Sequence, residues 1–174
     1  MWSALLLPMA AHGLTDGFAC PKSAAWGPHA WAKVSVLANA PCDEVVDEMM
    51  ARVSRQPDGW HDPHNNGTYA LTANQSAEQL VSFSRTTGNK RYTDKMTFHY
   101  AQSSADSTCT LYACSESQVT SVADFGTNYC NLRMLYCGSH DGCKPVLHDI
   151  TTIEQSVKTS SAAAQHDLKL CLTV

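Results

Sequence analysis

Apolar side chains recur at helical spacing at Val45, Met49 and Val53, with Val46 and Met50 beside them. The stripe predicts an amphipathic helix over 43–55. Asp43, Glu44, Asp47 and Glu48 crowd its start and Arg52 and Arg55 its end, the arrangement the helix dipole favours. Glu48 and Arg52 stand four residues apart, in the better order for an ion pair. Pro57 stops the helix, and Pro57-Asp58-Gly59 makes a turn.

The period then changes. Segments 68–72, 79–84, 92–100 and 108–114 are rich in Thr, Val, Tyr and Phe and separated by turn residues, which predicts four strands. In the third, Asp94, Met96, Phe98 and Tyr100 alternate with Thr93, Lys95, Thr97 and His99, as in a half-buried antiparallel strand. A hairpin signal, Thr86-Thr87-Gly88-Asn89-Lys90, joins the second strand to the third. Segment 31–37 reads as a further short strand. Asp124–Asn128 supplies a turn and cap for a helix over 128–136 carrying Leu132, Met134 and Leu135. Thr151-Thr152-Ile153-Glu154 reads as a capping box, and Ile150, Ile153 and Val157 continue at helical spacing, which predicts another helix. The alternation in 168–174 reads as a C-terminal edge strand. This order argues an α+β domain: an antiparallel sheet of about four strands with helices packed on one face. The organisation expected is a signal peptide and leader over 1–19, a single domain over 20–160, and a linker with the edge strand over 161–174.

Composition narrows the class. The 174 residues are 44% hydrophobic and 16% charged, which excludes intrinsic disorder. Twelve Lys and Arg against 16 Asp and Glu give a net charge of −4, so no basic stripe is available for nucleic acid. No apolar run approaches the roughly 18 residues of a membrane span.

Eight cysteines, Cys20, Cys42, Cys109, Cys114, Cys130, Cys137, Cys143 and Cys171, include no C-x-x-C. Disulfides are the remaining reading, and they imply the secretory pathway or an organelle lumen. The apolar start of 1–13 and the glycosylation sequons at Asn66 and Asn74 agree with that compartment. The 105 pairings are not equivalent. Within a helix Cys130 and Cys137 stand about 10 Å apart, beyond bridging reach. Cys109 and Cys114 in one strand face opposite ways and reach different elements. Cys137 and Cys143 bound a loop that a disulfide would pin.

Cys20-Pro21, the acidic helix, Tyr92-Thr93-Asp94 with Met96 and Phe98, and Ser115-Glu116-Ser117-Gln118 followed by Asp124-Phe125-Gly126-Thr127-Asn128 and a helix with Arg133 occur in that order. This succession resembles domain-of-unknown-function family 1499 over about two-thirds of the chain. The chain departs from the pattern at Gln118, where the family has Arg, and at Lys95, which follows Asp94 in place of a second acid. The additional cysteines point to a divergent, exported relative. The resemblance implies a fold more than a reaction.

Three constellations could carry chemistry. Ser115, Ser117, Gln118, Ser121, Asp124 and Asn128 run from a strand end into a helix start, where free N–H groups and hydroxyls can orient a polar ligand, with Arg85 and Asp94 on neighbouring strands as candidates to face it. The competing reading is that these residues cap the helix and close turns. His61, Asp62 and His64 could ligate zinc or copper with a distant third donor such as His29 or His99, against a solvated turn. Finally, Cys137-Gly138-Ser139-His140-Asp141-Gly142-Cys143 resembles the active-site stretch of secreted phospholipases A2, which would make His140 a general base and Asp141 a calcium ligand. The family's Gly-rich calcium loop has no counterpart upstream. The expectation is a non-catalytic accessory or ligand-binding module for a small amphipathic ligand, without a cofactor. The alternative is a calcium-dependent hydrolase centred on His140-Asp141.

Overall fold

The computed structural model describes residues 18–122, 124–160 and 166–173. In chain order they form β1 (Trp31–Ala38), α1 (Cys42–Ser54), β2 (Thr68–Gln75), β3 (Leu80–Thr86), β4 (Thr93–Gln102), β5 (Cys109–Ser117), α2 (Thr127–Tyr136), β6 (Thr152–Thr159) and α3 (Leu168–Cys171). One sheet contains six strands in the order β2-β3-β4-β5-β1-β6, antiparallel throughout. The fold is therefore α+β, with more strands than the alternation of the middle segment suggests.

Two elements account for the difference from about four strands. The short strand at 31–37 is the eight-residue β1, placed between β5 and β6. The stretch expected to be a helix from its capping box is the edge strand β6. Its Thr, Ile and Val side chains suit a strand, and its backbone pairs with β1 from Ala38↔Thr152 to Ala32↔Thr159. Glu154 does not cap a helix; it accepts from Tyr136 Oη at 2.6 Å and Tyr129 Oη at 3.1 Å. The C-terminal alternation also resolves differently. Asp167 accepts from Lys169 N at 2.9 Å and starts the one-turn α3, not an edge strand. The leader expected over 1–19 falls almost wholly on 1–17, and the linker on 161–165, both outside the described residues. Among the described residues no helix is long and apolar enough to cross a membrane.

Register sets the core. Val34 pairs with Ala113, Ala113 with Phe98, and Phe98 with Val81, so these buried side chains form one row across four strands. Val45 and Met49 of α1 and Leu132 and Leu135 of α2 belong to the same core, and both helices touch β4 and β5. Burying a row of Val, Phe, Met and Leu contributes roughly 1.5–3 kcal/mol per side chain before entropy is counted. The same face, followed along the strands toward one end of the sheet, becomes polar: Arg85, Asp94, Ser115 and Ser117 are all buried.

Four disulfides take up all eight cysteines: Cys20–Cys114, Cys42–Cys109, Cys130–Cys171 and Cys137–Cys143. Cys109 and Cys114 reach different elements, α1 and the N-terminal segment, as their opposite faces require. Such bonding suggests an oxidising, secretory or extracellular setting.

Candidate functional site

At the polar end of that face, β4 and β5 meet the start of α2. Arg85 is the cross-strand partner of Asp94, and Asp94 that of Ser117. Residues opposite each other in adjacent strands share a face, so the three lie together. From the helix, Asn128 and Asn131 point into the same layer and are fully buried. Ser115 Oγ donates to Asn128 Oδ1 at 2.6 Å. Asn128 Nδ2 donates to Ser117 Oγ at 3.1 Å and to Asp124 Oδ2 at 2.8 Å. Asn131 Nδ2 donates to Asp94 Oδ2 at 2.7 Å and Ser115 Oγ at 3.1 Å. Asp124 also receives Asn128 N at 2.9 Å, which satisfies an orphan donor of the helix start. The sequence-singled residues Arg85, Asp94, Ser115, Ser117, Asp124 and Asn128 thus converge in one place.

Arg85 is held from its other side. Its Nε donates to Asp62 Oδ2 at 2.7 Å and its Nη2 to the carbonyl of His64. Gly67 makes room for this: a Cβ there would come within 2.2 Å of Arg85 Cζ. Burial disfavours the guanidinium's charge, but surrounding anionic partners, including Asp62 and Asp94, raise its pKa above the usual value. Asp94 is shifted upward chiefly by burial, with Asn131, the Ser117 hydroxyl and Arg85 pulling the other way. Among the described residues its Oδ1 has no hydrogen-bond partner, nor has Arg85 Nη1. Buried polar atoms left this way are uncommon and call for an explanation.

Beside this network opens a cleft of about 630 Å³. Asp94 and Ser117 line it from the sheet, Asp124 and Thr127 from the start of α2, and the amides and hydroxyls of Asn65, Asn89 and Thr87 from the facing turns. Tyr92 and Phe125 stand in its wall 47% and 78% exposed. Phe125 has φ 51° and Gly126 φ 89°, and Thr127 N donates to Asp124 O at 2.9 Å. Two successive left-handed residues inside such a closed turn match type I′, which strongly prefers Asn-Gly. A phenylalanine at the first position is strained.

Other sequence candidates lie elsewhere. Gln118 does not join the network; its Nε2 donates to the carbonyls of Glu116 at 3.1 Å and Pro21 at 3.5 Å. Asp62 holds Arg85 with one oxygen and accepts His64 N at 2.9 Å with the other. His64 is shifted downward by burial and by Arg85, and its Nδ1 faces the Leu170 carbonyl at 3.2 Å. His61 is exposed. No group of three or more His, Cys, Asp or Glu among the described residues could hold a metal ion. His140 is exposed on a single turn of 3-10 helix, and Asp141 is paired with Arg133 at 2.7 Å. Asn66 and Asn74 are exposed, and Asn66 also lines the cleft.

Sequence reasoning missed Asn131, Tyr92 and Phe125. An asparagine three residues beyond Asn128, and so on the same face of the helix, was the available signal for the first. For Phe125 the signal was a Phe-Gly pair where a turn favours Asn-Gly. No protein-family model, curated protein or solved structure matches the chain.

Proposed function

We propose that the protein is an exported, disulfide-stabilised relative of family 1499 whose helices back one face of the sheet, and that it binds a small amphipathic ligand in the cleft at the polar end of that layer. The observation that carries this reading is Asp94: a carboxylate 1% exposed, lining a 630 Å³ cleft, with an oxygen left unpartnered. Ligand sites are commonly clefts of about this size with a few convergent polar groups. A donor on the ligand would satisfy Oδ1, while Tyr92 and Phe125 would take its apolar side. Network bonds from Asn131 and Asn128 fix the polar floor before any ligand arrives, which lowers the entropy lost on binding.

Titration of ¹⁵N-labelled, oxidised protein with a panel of sugars, aromatic acids, alkyl amines and short-chain lipids tests the proposal. Saturable shifts at Tyr92, Asp94, Ser117 and Phe125 are expected with at least one class. No saturable response to any class, or saturation only at residues remote from the cleft, would overturn it.

A further inference from the structure

Phe125 is the residue least explained by folding. With 78% of its surface exposed it gains little from burial, yet its backbone holds a left-handed φ of 51°. Asn or Gly would occupy that turn position without strain. A bulky ring kept in a sparsely populated conformation points to a use outside the core. Tyr92, on another turn lining the same cleft, offers a second half-exposed ring.

Between these rings the polar groups have a distinctive balance. Asn65, Asn89, Thr87 and Thr127 carry no charge; Thr87 Oγ1 donates to Asn89 Oδ1 at 2.8 Å, which turns the Asn89 amide N–H groups into the donors on that side. Of the two carboxylates lining the cleft, Asp124 is fully engaged, whereas Asp94 keeps one oxygen for a donor. Asp124 accepts from Asn128 N, Asn128 Nδ2 and Gly126 N, and Asp94 lies opposite the Arg85 guanidinium in the sheet. An anionic ligand would meet two acids, and a cationic one is the competitor that a charged amine control tests. A neutral molecule with several hydroxyls matches the mixed donors and acceptors, and a ring with one C–H face matches the aromatics. Those are the two recognition features of a pyranose.

Resting on the binding reading above, we propose that the cleft's ligand is a neutral sugar ring, stacked on Phe125 and Tyr92, with one hydroxyl donating to Asp94 Oδ1. Ser117 and Thr127 supply further hydroxyl contacts at the floor. Asp94, Phe125 and Tyr92 are then the residues that select the ligand.

Isothermal titration of the oxidised protein with glucose, galactose, mannose, N-acetylglucosamine, cellobiose and chitobiose is the test, with hexylamine and benzoate as charged amphipathic controls. Saturable binding of at least one sugar is expected, weakened by roughly tenfold in Phe125→Asn, in Tyr92→Ala and in Asp94→Asn, which loses the charge on the acceptor. Phe125→Asn removes the ring while easing the backbone, so loss of binding in that variant cannot be ascribed to unfolding. Binding of a control at the cleft, with no sugar bound, overturns the sugar assignment and leaves the binding module standing. Sugar binding unchanged in all three variants overturns the placement. No binding of any probe overturns both.

Discussion

Asn131 Nδ2 donates to Asp94 Oδ2 across 2.7 Å between α2 and β4, and neither residue is more than 1% exposed. Because burial raises the Asp94 pKa despite this bond, the folded protein binds the proton more tightly than the unfolded chain. The sign follows from linkage: Asp94's contribution is most favourable below the unfolded value of ~3.9 and falls as pH rises through the higher folded value. Asp94→Asn removes that dependence. Urea melts of both proteins from about pH 3 to pH 7 should show the stability difference moving against the native protein as pH increases. A difference independent of pH would place the carboxyl in a different environment.

Glu48 behaves in the opposite sense. Burial alone would raise its pKa, but the backbone N–H groups of His148, Leu147 and Val146 and the Arg52 guanidinium donate to it and hold it below the ordinary value. Its contribution is therefore present above about pH 4.3 and is lost as pH falls through the lowered folded value. Glu48→Ala should destabilise by about 3–5 kcal/mol, because Arg52 is left buried without its counter-charge. Arg52 also donates to the carbonyls of Met134 and Cys137 at 2.7 Å, so the end of α2 should lose amide-exchange protection in the same variant.

Phe125→Asn should stabilise the free protein by about 1 kcal/mol, since Asn tolerates the left-handed region that Phe resists. A rise in thermal midpoint together with weakened ligand binding would separate the two roles of this position. A fall in midpoint would show that the ring packs usefully in the unliganded state.

Removing Cys42–Cys109 by double alanine substitution should cost about 4 kcal/mol in loop entropy, against about 2 for Cys137–Cys143. Their sequence separations are 67 and 6 residues. Denaturant midpoints of the two double variants give the ranking. Alkylation under denaturing conditions without reductant should add no mass, as no described cysteine is free.

Much of this architecture is written in local pattern. The Val45-Met49-Val53 stripe specifies α1, and alternation through Met96 and Phe98 specifies β4. Spacing puts Asp94 on one face with Met96 and Phe98, but that this face is the buried one and that Ser117 shares it come from the pairing of β4 with β5. Element type at β6 did not follow from spacing, because Thr-x-x-Glu before apolar residues serves either a capping box or an alternating strand, and the choice is made by pairing with a distant β1. Gln118 stands one residue beyond Ser117 and so leaves the shared face. Asn131 and Phe125 were harder to find, since the role of each depends on a tertiary neighbour or a backbone angle that no composition records.

The position of β1 has a consequence for biogenesis. Ala38 sits beside Cys109, 71 residues later in the chain, and its other neighbour, Thr152, is made later still. During synthesis this interior strand therefore waits with both edges bare until most of the polypeptide has emerged. Contacts this distant slow folding and leave hydrogen-bonding edges open to stray association, so Cys42 waits through the same interval before its partner Cys109 exists to be bridged.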